Sequence, residues 1–261
     1  MIIIAYHGIF HKIKESWSNI MENQKTTLKP TIDATPTTDH DDRQRIPDAP
    51  EKVNHPDHYQ HLKFNHFGKN DAHKYETLDT TESINIALMT HQPALSLVDF
   101  ELITVLKYLA RAPFKLSDHG LTDYEKAAFY SNRMQDLWHK LRTQRPELDA
   151  TLNTMIKPAT HDKHDVIQTY TFQRINETQV EHYTPLEVAT GIVNSTHQKL
   201  NGNSNTAQMQ HLAETILLQT LLDLLTCDRQ LGIDAWLHLL NQHLQLFLKL
   251  WRQVLATLPQ K

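Results

Sequence analysis

Phe100-Glu101-Leu102-Ile103-Thr104-Val105-Leu106-Lys107-Tyr108-Leu109-Ala110-Arg111 and, beyond a turn marked by Pro113 and Gly120, Thr122-Asp123-Tyr124-Glu125-Lys126-Ala127-Ala128-Phe129-Tyr130-Ser131-Asn132-Arg133-Met134 form the stretch whose reading decides the fold. In the first half Lys107 and Arg111 are four apart and so share a helical face, which Thr104 and Tyr108 border. Leu102, Ile103, Val105, Leu106 and Leu109 supply its apolar sides. In the second half Thr122 and Glu125 match the S/T-x-x-E pattern of a helix start. Ala127, Tyr130, Met134, Leu137 and Leu141 step by three and four as a core stripe. Lys126, Tyr130 and Arg133 lie on an adjacent edge. Two helices joined by so short a turn are expected to pack as an antiparallel pair, with four cations and two phenols on a common groove.

Working outward, Val53-Asn54-His55-Pro56-Asp57-His58-Tyr59, then Lys107-Tyr108-Leu109-Ala110-Arg111-Ala112, then Asp123-Tyr124-Glu125-Lys126-Ala127-Ala128-Phe129-Tyr130 with Arg133, make three ordered blocks. Together they resemble the SaV-like phage proteins, a family that includes a phage-encoded deoxynucleoside monophosphate kinase. The resemblance covers roughly residues 51–142. It implies a bacteriophage-type nucleotide kinase that takes phosphate from a nucleoside triphosphate donor. The nucleotide and its phosphates would be held by Asn54, Tyr59, Lys107, Tyr108, Arg111, Lys126, Tyr130 and Arg133. His55 or His58 has the ordinary pKa range for proton exchange near neutrality, and Asp57 could orient one of them. Ile103 and Thr104 stand where the family usually has Gly-Asn. A protein that binds a nucleotide signal without turnover, or that engages a host protein, therefore stays open as the alternative.

Neither G-x-x-x-x-G-K-[ST] nor G-x-G-x-x-G occurs, so phosphates would be gripped by Lys and Arg side chains rather than by a glycine loop. Basic residues on amphipathic helices also have a plainer use, pairing with acids such as Glu101 or Asp123. Glu214 and Asp223, nine apart, do not form the paired acids of all-helical nucleotide pyrophosphatases.

The 261 residues are 39% apolar with only six glycines, a composition that favours helices over a sandwich or barrel. The expected class is mainly α: a helical N-terminal family domain and a C-terminal helical bundle or coiled-coil-like hairpin. At most a minor β element is expected near Val166 to Ile175. The net charge of −4 argues against general nucleic-acid binding, which depends on neutralising phosphates. The single cysteine, Cys227, sits in a leucine-rich run and reads as a buried thiol in a cytoplasmic protein. Ile2 to Ala5 is too short to span a bilayer and no basic residue precedes it, so neither signal peptide nor membrane anchor is expected.

Residues 1–50 read as a disordered leader, 51–145 as the family-like helical domain, 146–183 as a connector and 184–261 as a helical oligomerisation region. His55, His58, His61, His66 and His73 invite a metal reading, but their intervals are not those of a helical metal site. Eighteen histidines in the chain account for such a cluster, and no metal site is assigned. Asp79 to Glu82 and Ser96 to Asp99 repeat the capping pattern. Thr184-Pro185-Leu186-Glu187 is a strong helix start, with an expected end near Leu200. Two further helices are expected over about 206–226 and 234–258. In the last, Leu237, Leu240, Leu244, Phe247, Trp251, Val254 and Leu258 form an unbroken seam suited to coiled-coil-like packing, either against the 206–226 helix or against another subunit. Leu239, Leu246, Leu248 and Leu250 add apolar surface beyond it, which leads to an expected homo-oligomer.

Overall fold

The computed structural model describes residues 62–67, 69, 72–115, 117–144, 146–158, 165–174, 178–196, 200 and 204–258. The expected leader over 1–50 lies outside them, as do Asn54, His55, His58 and Tyr59. Among the described residues the chain is mainly α, with seven α-helices and two two-stranded antiparallel sheets.

The order is β1 (Leu62–Phe64), β2 (His73–Tyr75), α1 (Thr77–His91), a 3₁₀ turn (Pro93–Val98), α2 (Asp99–Arg111), a second 3₁₀ turn (Ala112–Phe114), α3 (Leu121–Gln144) and α4 (Pro146–Met155). Then come β3 (Tyr170–Gln173), β4 (Val180–Tyr183), α5 (Pro185–Thr196), α6 (Ser204–Thr226) and α7 (Ile233–Ala256). β3 falls inside the segment expected to hold a minor β element, and β4 completes its hairpin. The β1–β2 hairpin has no counterpart in the expectations.

Three of the four expected helix starts differ from the capping patterns. α1 opens at Thr77, ahead of Asp79, because the Thr80 and Thr81 hydroxyls donate back to Glu76 O and Leu78 O, at 2.7 and 2.9 Å. Before α2 the chain is already wound as 3₁₀ from Pro93, and Asp99 accepts from the Asn85 amide at 2.5 Å rather than capping. At α3 the cap is Asp118, whose carboxylate accepts from Gly120 N at 3.1 Å and Thr122 N at 3.0 Å. Burial of that carboxyl opposes ionisation, yet these amides and the Thr122 hydroxyl hold its pKa below the ordinary value. Glu125 turns instead to Arg252, at 2.8 Å. Gly120 has φ +77, and a Cβ there would lie 2.5 Å from Ala112 O, so the turn between α2 and α3 closes only on glycine.

The fourth start, at α5, is a complete capping box. Glu187 N donates to Thr184 Oγ1 at 3.3 Å, while Thr184 N and Oγ1 donate to Glu187 Oε2 at 2.8 and 3.0 Å. The helix is described to Thr196, and residues 197–199, between it and the expected end at Leu200, lie outside the described residues.

α2 and α3 run antiparallel, since Arg111 at the end of α2 meets Asp123 at the start of α3, and Glu101 meets Arg133. α7 then packs on both α6 and α3. Its seam residues Leu237, Leu240, Leu244, Phe247, Trp251 and Val254 are buried, as are Leu248 and Leu250 beyond the seam. Besides Arg252 to Glu125, the polar joints of α7 with α3 and the turn before it include Trp138 Nε1 to Asp234 at 2.9 Å, Trp251 Nε1 to His119 O at 3.0 Å, and Asn241 bonded to both Ser131 and Gln135. Tyr124 adds an edge contact to Phe247 with centroids 4.7 Å apart. These seam residues are thus covered within one chain, while Leu258 at the seam's end and Leu239 and Leu246 beside it are half-buried. Residues 62–144 and 204–258 share this core.

The two hairpins meet through aromatic rings. Phe64 lies 5.3 Å from both Tyr75 and Phe172, and the Tyr75 and Tyr183 hydroxyls are 2.8 Å apart. Burial first, and the Tyr75 hydroxyl second, push the Tyr183 phenol far above its ordinary range, so it is a neutral member of the core. Cys227 is buried at φ +43, and burial pushes its thiol up to about 12, as suits a structural rather than a reactive cysteine.

Candidate functional site

The α2–α3 pair brings six of the residues singled out in sequence to one side of the molecule. Tyr108 and Tyr130 stack at 6.0 Å with planes 24° apart, and Phe100 meets the other side of Tyr130 edge-on at 6.0 Å. The Arg111 guanidinium lies 5.0 Å and the Lys126 ammonium 5.5 Å from the centre of the Tyr108 ring. Lys126, Tyr130 and Arg133 follow one edge of α3, as their spacing requires. Phe100 and Phe129 are exposed, at 61% and 60%. Single exposed apolar residues are ordinary, but two beside a row of stacked phenols give a continuous aromatic surface.

The cations of this face are not equivalent. Arg111 forks onto the buried Asp123, with Nε and Nη2 each 2.7 Å from a carboxylate oxygen. Arg133 Nε donates to the buried Glu101 at 2.9 Å, but its side chain remains 58% exposed, so other N–H groups of the fork face solvent. Lys107 is half-buried one turn before Arg111, and Lys126 is exposed. A single anion site built from all four cations is therefore not what the geometry offers. The fork of Arg111 is spent on fixing α2 against α3, and Lys126 and Arg133 are the cations presented outward beside Tyr130.

Of the histidine cluster, His66 and His73 are described. His66 stacks on Tyr183 at 4.5 Å, with Nε2 3.3 Å from Glu181 and Nδ1 3.5 Å from Glu187. Arg174 reaches Glu181 and also donates to His73 Nε2 at 2.7 Å. The His66 contact first, with Arg174 beside it, lowers the Glu181 pKa below the ordinary carboxyl value. Burial works to raise Glu187, but the Thr184 and Phe67 amides and His66 bring it below the ordinary value too. These histidines tie β1–β2 to β4 and α5. Among the described residues no group of three His, Cys, Asp or Glu side chains is arranged to hold a metal ion.

Elsewhere Asp223 bonds His243 Nδ1 at 2.5 Å and Gln219 at 2.8 Å, while Glu214 accepts from Gln210 at 2.8 Å, so each acid of α6 is engaged separately. No described helix is long and apolar enough to cross a membrane.

The residues that sequence reading passed over line a cleft between the β1–β2 hairpin and α5, among them Lys63, Lys69 and Lys74. Their signal was present in Leu62-Lys63-Phe64, an apolar–lysine–apolar alternation at the period of a strand, and more weakly in His73-Lys74-Tyr75. No family model, curated protein or solved structure matches the chain.

Proposed function

We propose that the chain is a nucleotide-binding protein whose ligand lies on the α2–α3 face. The observation that carries this is the row Phe100, Tyr130 and Tyr108, spaced 6.0 and 6.0 Å, with outward-facing Lys126 and Arg133 along the same edge. A nucleobase stacks on aromatic faces whatever its sequence identity, a contact worth about 1–3 kcal/mol per base. Lys126 supplies a point charge and Arg133 a planar donor set for the phosphates. Phosphoryl transfer from a nucleoside triphosphate to a deoxynucleoside monophosphate is the activity that the SaV-like resemblance implies. It asks mainly for positioning and charge neutralisation, which side chains can give without a glycine loop.

The second reading is binding without turnover, as a nucleotide sink or a host-protein ligand. It is favoured by the commitment of Arg111 to Asp123, which removes the strongest phosphate fork from the face. A panel of deoxynucleoside mono- and triphosphates, read by both thermal shift and phosphate transfer, separates the two. Transfer supports the kinase, and a shift without transfer supports the sink. A panel that gives neither contradicts the nucleotide reading altogether.

A further inference from the structure

The cleft between the β1–β2 hairpin and α5 has a volume of about 780 Å³, within the usual range for small-molecule sites. Its walls follow from two periodicities. On the hairpin, Leu62, Phe64 and Tyr75 point to the core, so Lys63 and Lys74 point to the other face, directly opposite each other in the ladder. On α5, Glu187, Thr190, Gly191, Asn194 and Ser195 repeat at helical spacing and line the same cleft. Gly191 sets the depth of that space. A Cβ there would sit 2.3 Å from Phe64 and 2.7 Å from Lys63 O, so the helix backbone comes down onto β1. Phe67, 60% exposed, and Phe114 stand at the rim.

Among the described lining residues the cations outnumber the acids. Like charges directly opposite in an antiparallel pair destabilise it, yet the ladder sets Lys63 against Lys74, and Lys69 of the connecting turn joins them. Among the described residues none of the three ammonium groups is held in an ion pair. Glu187 is the one acid among the described lining residues, and its oxygens are taken by Thr184, the Phe67 amide at 3.0 Å and His66. Two lysines paired across the ladder, in a cleft whose lining also includes Thr190 and Asn194, are what an anion would relieve.

We infer that this cleft is a second binding site, distinct from the α2–α3 face, for an organic phosphate. The phosphate would sit between Lys63 and Lys74 with Thr190 and Asn194 opposite, and its flat apolar part against Phe67. The inference does not depend on the nucleotide reading, because none of its residues belongs to that face.

The probes are 1-naphthyl phosphate and inorganic phosphate, titrated at low salt into the full chain. Naphthyl phosphate should bind at least tenfold more tightly than inorganic phosphate, and Phe67→Ala should remove that advantage. Lys63→Gln and Lys74→Gln should each weaken binding about tenfold to a hundredfold, the loss expected for one charged hydrogen bond. Without ligand the same two substitutions should leave the thermal midpoint unchanged or raise it by about one to three degrees, by relieving the lysine pair. The Lys126→Ala/Tyr130→Ala variant, which lacks the nucleotide face, should bind naphthyl phosphate as the parent does. Absence of binding by the parent, undiminished binding by both lysine variants, or loss of binding in the Lys126→Ala/Tyr130→Ala variant overturns the inference.

Discussion

The α2–α3 face and the β1–β2/α5 cleft each gather cations, but they hold them in opposite ways. On the helical face Arg111 is spent as a fastener on the buried Asp123, while Arg133 gives its Nε to the buried Glu101 and keeps the rest of its fork in solvent. In the cleft Lys63 and Lys74 are set opposite each other across the ladder. The difference is one of chemistry as well as position. Arginine offers a fork that matches a carboxylate and survives burial, whereas a lysine ammonium stays hydrated and mobile until a ligand arrives. Counting basic residues along a helix therefore does not locate an anion site; asking which of their donors are already spent on a carboxylate does.

The sharpest way to break this contrast is to remove a fastener. Arg111→Ala strands a carboxylate that is 3% exposed, and stability by urea unfolding should fall by about 3–5 kcal/mol. A loss under about 1 kcal/mol would mean that Arg111 is available to a ligand after all. Next in size, Gly191→Ala should cost about 1–3 kcal/mol, because its methyl group meets the Phe64 ring and Lys63 backbone and must push β1 away. Thermal denaturation unchanged by that substitution would show that the cleft is not fixed at this depth.

Acid titration gives the third test. Asp118, Glu181 and Glu187 have native pKa values below their ordinary 3.8 and 4.5, so the stability they lend is full above those values and lost as pH falls through the lowered ones. His91, lowered from 6.5 by burial and then by the Arg229 charge, works in the same sense from a higher pH. Stability should therefore decline in two stages, first below about pH 6.5 and again below about pH 4.5, and His91→Gln should remove the first. A single acid transition in the parent would contradict this. The smallest effect belongs to Arg252→Ala, whose ion pair with Glu125 is 57% and 42% exposed. Urea unfolding should move by no more than about 0.5 kcal/mol.

What was legible in the sequence was local. The Thr184–Glu187 box lies within four residues and formed as its pattern required, and the helical periods of α2, α3 and α7 pointed to the helical class. The false caps at Asp79 and Ser96 match the same pattern. There the threonine hydroxyls and the preceding 3₁₀ turn offered the backbone nearer partners. The seam of α7 was readable as a seam, and α6 as one surface it could pack on, but not its packing on α3, which lies about a hundred residues away in the chain. The pairings of Arg111 with Asp123 and of Arg133 with Glu101 depend on how far the two helices slide past each other, a quantity that spacing within either helix leaves open. The cleft needed more still: two three-residue strands too short to stand out, and a helix more than a hundred residues beyond them.

The most direct test of the nucleotide face is calorimetric titration of a deoxynucleoside monophosphate into the parent and into Lys126→Ala and Tyr130→Ala. The parent should bind, Lys126→Ala should weaken binding about tenfold to a hundredfold with a shallower salt dependence, and Tyr130→Ala should weaken it about fivefold or more through lost stacking. Parent binding left unaltered by both substitutions, or a parent that binds no nucleotide, would contradict the assignment and leave the α2–α3 face as a helix-packing surface.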